Sequence, residues 1–303
     1  MLEKYNKYSL LKILKDSIID FSNGESINLA AATAFYTIFS LPALLLLLLN
    51  FGATFLSQSK MKVEILSQVE AMAGQESRVT LEEILGNYIT SPDFGIAYII
   101  AFMILAFSAT TVFISIQNAI NHIWHIKAKP KKGILKYVVN RLLGFLLVGS
   151  IGLVMIASLI LEAALLIVSE YLTEYIVEIN IQLFALINFA VTQLVLVIIF
   201  ALMFKILPDA RVRWRDTWLG AIITMVLFGI GKYLISLYIG NSDLGTTYGA
   251  AGSLAVLLVW IYYSLVIFLF GGQLTYYLAE HIGGGVVPLP QAVKVELKEL
   301  DSN

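Results

Sequence analysis

Six apolar segments of this sequence are each longer than about 20 residues, the length that a helix needs to cross the hydrocarbon core of a bilayer. No segment contains more than one formally charged residue. The segments cover residues 29–56, 94–119, 142–168, 181–207, 217–240 and 250–278. They predict an all-α, polytopic integral membrane protein with six transmembrane helices.

The composition agrees with a membrane protein. Only 14% of the residues are charged and 59% are hydrophobic, whereas about 25% of a soluble domain is charged. The net charge of -1 gives no electrostatic reason to expect a nucleic-acid partner, and the absence of cysteine excludes disulfides and thiolate metal sites. We therefore expect membrane lipids as partners and no cofactor, and the sequence leaves the oligomeric state open.

The distribution of lysine and arginine predicts the orientation of the chain. With the N-terminus in the cytoplasm, sixteen of the 20 basic residues fall in cytoplasmic segments and three fall in the outer loop 57–93. The remaining one, Lys232, lies within the fifth apolar segment. Because cytoplasmic loops are enriched in basic residues, both termini are predicted to be cytoplasmic.

The segments outside the membrane are short. Residues 1–27 are predicted to form an amphipathic cytoplasmic segment, residues 28–280 the membrane domain, and residues 281–303 a mobile cytoplasmic tail that contains a run of glycines near its start. The loop 57–93 has apolar residues at helical spacing between acidic ones, which predicts two short amphipathic helices on the outer face.

Polar side chains form a stripe along one face of each of the first two predicted spans. The first stripe precedes Pro42, which is expected to kink the helix or leave a carbonyl unpaired. The stripes consist of Thr33, Tyr36, Thr37 and Ser40 in the first span, and of Ser108, Thr111, Ser115 and Asn118 in the second. Either they line a polar cleft that opens to the cytoplasm, or their small hydroxyl groups let the helices pack closely.

Lys232 and Glu162 are ionisable residues within predicted spans, at similar depth in the outer half of the bilayer. Three interpretations of Lys232 stay open: its ammonium extends to the outer headgroups, it forms an ion pair with Glu162, or it binds a substrate anion such as a phosphate.

No soluble-enzyme motif occurs in the sequence. His122 and His125 have an H-x-x-H spacing, but no third ligand lies close in sequence, so we predict no metal site. No catalytic residue is predicted either, because the glycine-rich phosphate loops and nucleophile motifs of enzymes are missing.

Several stretches together resemble the YihY/BrkB family of bacterial inner-membrane proteins, across residues 28–280. They are "AAATAFYTIFSLP", "NHIW", "LPDARVRWRDTWLGA", Gly231-Lys232 with Tyr238, "YGAAGSLAVLLVWIYY" and "LFGGQL". The positions that match the family are Tyr36, Ser40, Pro42, Asn121, Trp124, Pro208, Trp214, Arg215, Asp216, Gly220, Lys232, Tyr238, Tyr248, Gly249, Trp260, Tyr262 and Gly271. Gln273 departs from the family, in which a glutamate often stands at this position.

The resemblance implies a multi-pass protein of the bacterial inner membrane and a virulence-factor family with roles in the cell envelope. It also implies transport of envelope lipid precursors, although the family once carried the label ribonuclease BN. We therefore expect a transporter or flippase for an anionic lipid or small solute, with a non-catalytic envelope scaffold as the alternative and a ribonuclease disfavoured. The candidate cavity residues are Lys232, Glu162, the two polar stripes and Gln273. The motif residues Arg215 and Asp216 have a simpler alternative role, as a cap of the fifth helix.

Overall fold

The computed structural model describes five parts of the chain: residues 10–52, 57–89, 111–129, 181–240 and 252–296. They are mostly helical. The helices are α1 (Leu10–Asn23), α2 (Ser26–Gly52), α3 (Gln58–Ile89), α4 (residues 111–123), α5 (Ile181–Ile206), α6 (Trp214–Gly240) and α7 (Gly252–His281). The strands are β1 (Ile126–Ala128), β2 (Ala210–Arg211), β3 (Val287–Pro288) and β4 (Ala292–Lys294).

Four of the described helices are long and apolar enough to cross a membrane. Their apolar parts are Ser26–Leu46, Phe189–Ile206, Trp214–Ile235 and Leu254–His281. They correspond to the first, fourth, fifth and sixth predicted segments. The second predicted segment is described only from residue 111 and the third lies outside the described residues, so the count of six spans and the cytoplasmic termini stay predictions.

Helix α7 is the centre of the described bundle, since it packs against α1, α2, α3 and α6. The largest buried core lies around its C-terminal half, where Trp124, Phe204 and Leu269 are fully buried. Helix α2 continues through Pro42 without a break. Proline has no backbone N–H, so the carbonyl of Ile38 lacks its usual helical donor.

Helices α6 and α7 are antiparallel and approach each other at three glycines. A β-carbon on Gly220 would overlap the hydroxyl of Thr275, and one on Gly271 would overlap the hydroxyl of Thr224. Near the other end, a β-carbon on Gly231 would overlap the hydroxyl of Tyr263. Small residues allow such close backbone contact in membranes, and α6 and α7 therefore form one tightly packed unit.

Helix α3 is a hairpin of two helical halves that meet at Gly74, whose φ of 84° breaks the helix. Ion pairs join the halves, with Lys62 Nζ 3.3 Å from Glu82 Oε1 and Arg78 bonded to Glu70. The structure thus has the two helices predicted in this region. One apolar face of the hairpin is buried against α2, α4 and α7 and includes Met61, Ile65, Leu81 and Leu85, whereas Val63 and Val79 are exposed.

Within the predicted tail 281–303, the structure has two short strands after α7, and the described residues of this segment run to Glu296. Strand β3 pairs with β2 and strand β4 pairs with β1, both antiparallel. The glycines that suggested flexibility form the helix cap instead. The N–H groups of Gly283 and Gly285 donate to the carbonyls of Leu278 and Ala279, and Gly285 has a φ of 78°. The four short strands also make the fold mostly rather than entirely α-helical.

Helix α1 packs along the C-terminal end of α7. Ile13 is buried against Leu274 and Leu278, and the rings of Phe21 and Phe270 meet edge to face at 5.4 Å. The apolar residues that predicted the amphipathic character of α1 lie on the other side and stay exposed; those described are Leu11, Leu14, Ile18 and Ile19. Helix α1 therefore has one face in the protein and a second apolar face outside it.

Candidate functional site

The two polar stripes meet at one point. The Thr33 and Ser115 hydroxyls are 2.8 Å apart and form a hydrogen bond between α2 and α4. Thr33 is buried, and the Thr37 hydroxyl donates to the Thr33 carbonyl at 2.7 Å within α2. Hydroxyl groups that bond across helices and to their own backbone are common in membrane bundles, so this contact serves helix packing.

The other stripe residues differ in their surroundings. Ser40 is buried, Thr111 is half-buried, and Tyr36 and Asn118 are exposed. Ser108 lies outside the described residues. The structure thus brings Thr33, Thr37 and Ser115 together and leaves polar groups at the margins of the α2–α4 contact.

Lys232 follows Gly231, one of the three glycines at which α6 contacts α7. Its neighbour Gly231 is buried against the Tyr263 hydroxyl, and Lys232 itself is half-buried. The Tyr263 hydroxyl oxygen is buried and has no hydrogen-bond partner in the described part of the chain. A buried polar atom without a partner costs free energy, and this hydroxyl packs directly against Gly231 of α6.

The α3 hairpin covers this region. Val69 of α3 packs against Ile235 and Trp260. The Trp260 ring lies 6.0 Å from the Phe228 ring and 6.1 Å from the Tyr263 ring, measured between centroids. Phe228, Trp260 and Tyr263 therefore form an aromatic cluster beneath α3. Glu162, the predicted partner of Lys232, lies outside the described residues, and its ion pair stays a prediction.

The motif residues at the opposite end form a buried polar network. Asn121 donates from Nδ2 to Asp209 Oδ2 at 2.9 Å and accepts at Oδ1 from the Asp209 N–H at 2.8 Å. Gln117 Nε2 donates to the Leu207 carbonyl at 2.8 Å, and Trp124 Nε1 donates to the Gly272 carbonyl at 2.9 Å. The three stretches "NHIW", "LPDARVRWRDTWLGA" and "LFGGQL" thus hold each other in place.

Sequence reasoning missed this partnership. Asn121 and Trp124 belong to "NHIW", whereas their partners Asp209 and Gly272 belong to two other motifs, and no local pattern indicates that these stretches meet across 88 and 148 residues. The available signal was that their positions all lie on the predicted cytoplasmic side, next to spans that they would connect. Pro208, also in a motif, is buried in the same turn.

The start of α6 is built around a buried carboxylate. Asp216 is buried in the first turn, where the helix N-terminus stabilises an anion. Lys205 donates to the Val212 carbonyl and its ammonium lies 5.3 Å from the Trp214 ring centroid, whereas Arg215 is exposed. Asp216 thus occupies the first turn of α6, where an acidic residue stabilises the helix N-terminus. Trp214, the first residue of α6, anchors the preceding turn through its contact with Lys205.

The remaining candidates have different surroundings. Gln273 and Trp260 are buried, and Gly249 lies outside the described residues. Across the described ranges, no group of three or more His, Asp or Glu side chains is arranged to hold a metal ion. His122 Nε2 lies 3.7 Å from Glu25 Oε2 near the surface.

Comparison with known proteins identifies the family to which the chain is similar. The family described as Virulence factor BrkB matches residues 18–295. A UPF0761 membrane protein of Idiomarina loihiensis is 30% identical over 209 residues, which cover 66% of this chain and 67% of the relative. A UPF0761 membrane protein of Verminephrobacter eiseniae is 31% identical over 186 residues. These residues cover 60% of this chain but only 42% of that relative's length.

A further relative carries a different name. The putative ribonuclease-like protein YfkH of Bacillus subtilis is 22% identical over 269 residues, covering 87% of this chain and 94% of the relative. No solved structure matches the chain. Because the family match covers most of the chain and four described helices are long and apolar enough to span a membrane, the chain belongs to the BrkB family of membrane proteins.

Proposed function

We propose that this chain is a transporter or flippase of the bacterial inner membrane that moves an anionic lipid or a small anionic solute. The observation that supports the proposal most is the position of Lys232 next in sequence to Gly231, against which an unsatisfied buried hydroxyl packs. Lys232 follows Gly231, which packs on the Tyr263 hydroxyl, and that hydroxyl is buried with no partner among the described residues.

An anion suits this combination. A lysine ammonium offers three donors and a positive charge, and a tyrosine hydroxyl offers one more donor. In a low-dielectric environment, hydrogen bonds to an anion are stronger than neutral ones. A phosphate or carboxylate beside Gly231 would satisfy the Tyr263 hydroxyl and offset the charge of Lys232 together.

The surroundings are suited to hold a site in a fixed geometry. Gly220, Gly231 and Gly271 bring α6 and α7 into direct contact, so the two helices move together. The α3 hairpin lies over the Trp260–Ile235 end of this pair. A membrane lysine next to such a rigid pair is by default a functional candidate.

Reconstituted vesicles test the proposal. The full chain is placed in liposomes that contain headgroup-labelled fluorescent phosphatidylglycerol, and dithionite is added to quench the label that reaches the outer leaflet. Lys232→Ala and Tyr263→Phe are expected to slow movement of the lipid by about tenfold or more, because each removes a donor to the anion.

Matched controls separate the site from general damage. Tyr233→Phe alters an exposed tyrosine next to Lys232, and Lys60→Ala removes an exposed lysine at the start of α3. Both variants are expected to keep the unmodified rate. Equal rates for Lys232→Ala, Tyr263→Phe and the controls would oppose the transport proposal, and the scaffold function would then take its place if disruption of α3 alone impairs the cell envelope.

A further inference from the structure

An open cavity of about 540 Å³ lies where α1 meets the C-terminal end of α7. Its volume is within the range of small-molecule sites. Its walls include Asp16 and Asp20 from α1, His125 from the turn after α4, and Tyr276, Tyr277 and Glu280 from α7. The cavity is separate from the Lys232 site, which lies toward the other end of α6 and α7.

The charges of the cavity favour a cation. Its walls contain three carboxylates, on Asp16, Asp20 and Glu280, and the basic side chains of Lys12, His125 and His281. Lys294 pairs with Glu280, so three acids stand against two lysines. Burial lowers the pKa of the His125 imidazole from its ordinary value of 6.5, and the neighbouring His122 lowers it further. Because His125 is then neutral near pH 7, it adds no positive charge to offset the acids.

One ammonium group already contacts the cavity wall. Lys294, on strand β4, places its Nζ 2.7 Å from Glu280 Oε1 and 5.5 Å from the centroid of the Tyr276 ring. A carboxylate and an aromatic face together are the surroundings that an ammonium group prefers. The contacts of Lys294 therefore show that this wall of the cavity can bind an ammonium group.

The opposite wall has room for a second ammonium group. Asp16 and Asp20 are one helical turn apart on α1, so their carboxylates lie on the same face. The Tyr277 hydroxyl donates a hydrogen bond to Asp20 and thereby fixes that carboxylate at the cavity. Within the described residues no set of acids and histidines suits a metal ion, which leaves an organic cation as the fitting occupant.

The geometry points to a binding site for an ammonium group between Asp16, Asp20 and the α7 aromatic residues. The ammonium belongs either to a soluble amine or to the headgroup of an amine-bearing lipid such as phosphatidylethanolamine. A lipid source is sterically accessible because the apolar side chain of Ile19 on α1 lines the cavity and is exposed.

Two arms of one experiment test the site and separate the sources. In the first, spermidine and ethanolamine are titrated calorimetrically into the full-length chain in a neutral maltoside detergent. In the second, the chain is released from nanodiscs of mixed phosphatidylethanolamine and phosphatidylglycerol, and native mass spectrometry counts the lipids that stay bound. Heat with a soluble amine, or selective retention of phosphatidylethanolamine, identifies the source.

Variants show whether the ligand occupies this cavity. Asp16→Asn with Asp20→Asn is expected to weaken binding about tenfold, since it removes two charge-assisted contacts. Glu296→Gln removes an exposed acid outside the cavity and is the matched control, with unchanged affinity expected. Lys294→Met is expected to strengthen binding severalfold, because it removes the resident ammonium from Glu280 and Tyr276.

Each set of affinities either establishes or overturns the ammonium site. Weaker binding in the aspartate variant and tighter binding in Lys294→Met establish the site, in whichever arm binding occurs. Equal affinity in all variants overturns it, and so does the absence of both amine heat and phosphatidylethanolamine selectivity. If the aspartate variant does not fold, Lys294→Met alone decides, because unchanged affinity there contradicts the proposed role of Glu280 and Tyr276.

Discussion

Asn121 and Asp209 are joined by two hydrogen bonds although 88 residues separate them in the sequence. One bond uses the Asn121 amide as donor and the other uses it as acceptor, so the single side chain satisfies both a carboxylate and a backbone N–H. Both residues are buried. This contact fixes the end of α4 to the turn between α5 and α6.

Replacement of Asn121 by alanine is expected to destabilise the folded chain by about 2 kcal/mol. The change removes one donor from a buried carboxylate and the acceptor for a buried N–H, and each buried group left unsatisfied costs about 1–3 kcal/mol. Thermal unfolding in detergent, followed by tryptophan fluorescence, measures the loss. Asn118→Ala, an exposed asparagine on the same helix, is the control, and an equal effect of both changes would contradict the role of the buried pair.

Gly271→Ala is expected to prevent normal folding or to lower the melting temperature strongly. Its new β-carbon would overlap the Thr224 hydroxyl, so α6 and α7 would have to separate. Overpacked sites of this kind cost about 1–3 kcal/mol or more. Gly229→Ala on α6 has no neighbouring atom within 4 Å, and the same measurement should find it neutral. Similar melting temperatures for the two variants would show that the helices tolerate a wider separation.

The bend of α3 gives a prediction about backbone conformation alone. Gly74 and Gly86 both have open space around the β-carbon position, but only Gly74 has a positive φ, of 84°. Because this φ together with a ψ of 171° is a conformation adopted essentially by glycine alone, Gly74→Ala is expected to destabilise the hairpin by about 1–3 kcal/mol. Gly86→Ala should be neutral or slightly stabilising, since alanine favours helix.

Hydrogen exchange of the α3 amides is the measurement for this pair. Faster exchange throughout residues 58–89 in Gly74→Ala, with no change in Gly86→Ala, is the expected result. Equal protection in both variants would mean that the hairpin is held by its ion pairs and core contacts and not by the bend.

The long apolar runs could be predicted from the sequence because a membrane span is a local property of about 20 residues. The Asn121–Asp209 pair, the contact of Thr275 with Gly220 and the strands after α7 could not, because each depends on a partner far along the chain. The glycines at 283–285 suggested a mobile tail for the same reason. They cap α7, and only the fold brings the residues that follow them beside β1 and β2. For Lys232 the sequence predicted a depth in the membrane, whereas the contact of the neighbouring Gly231 with the Tyr263 hydroxyl depends on the packing of α7.

His125 predicts how stability depends on pH. Its pKa in the folded chain is lowered, chiefly by burial, from 6.5, so below about pH 6.5 the unfolded chain binds more protons than the folded one. The stability that a neutral His125 contributes is therefore complete above this pH and is lost as the pH falls below it. Melting temperatures measured from pH 7.5 to 5.5 should decrease in this range.

The control for this effect is His125→Asn. The residue has a φ of 54°, and asparagine tolerates this left-handed conformation, so the change removes the titration without straining the backbone. The variant should lose less stability on acidification than the unmodified chain. An identical pH dependence in both proteins would assign the effect to other groups.

The strand after the α7 cap is expected to be a fixed part of the fold. Ala292 is buried at the start of β4, opposite Ala128 of β1, while Gln291 beside it is exposed. Ala292→Asp would bury a charge without a partner and is expected to cost several kcal/mol, whereas Gln291→Asp should be nearly neutral. Limited proteolysis of the purified chain provides the readout: cleavage after residue 282 should become rapid in Ala292→Asp and stay slow in Gln291→Asp. Rapid cleavage of the unmodified chain at the same place would mean that the segment is a mobile tail after all, because paired strands resist proteases that extended, unpaired segments admit.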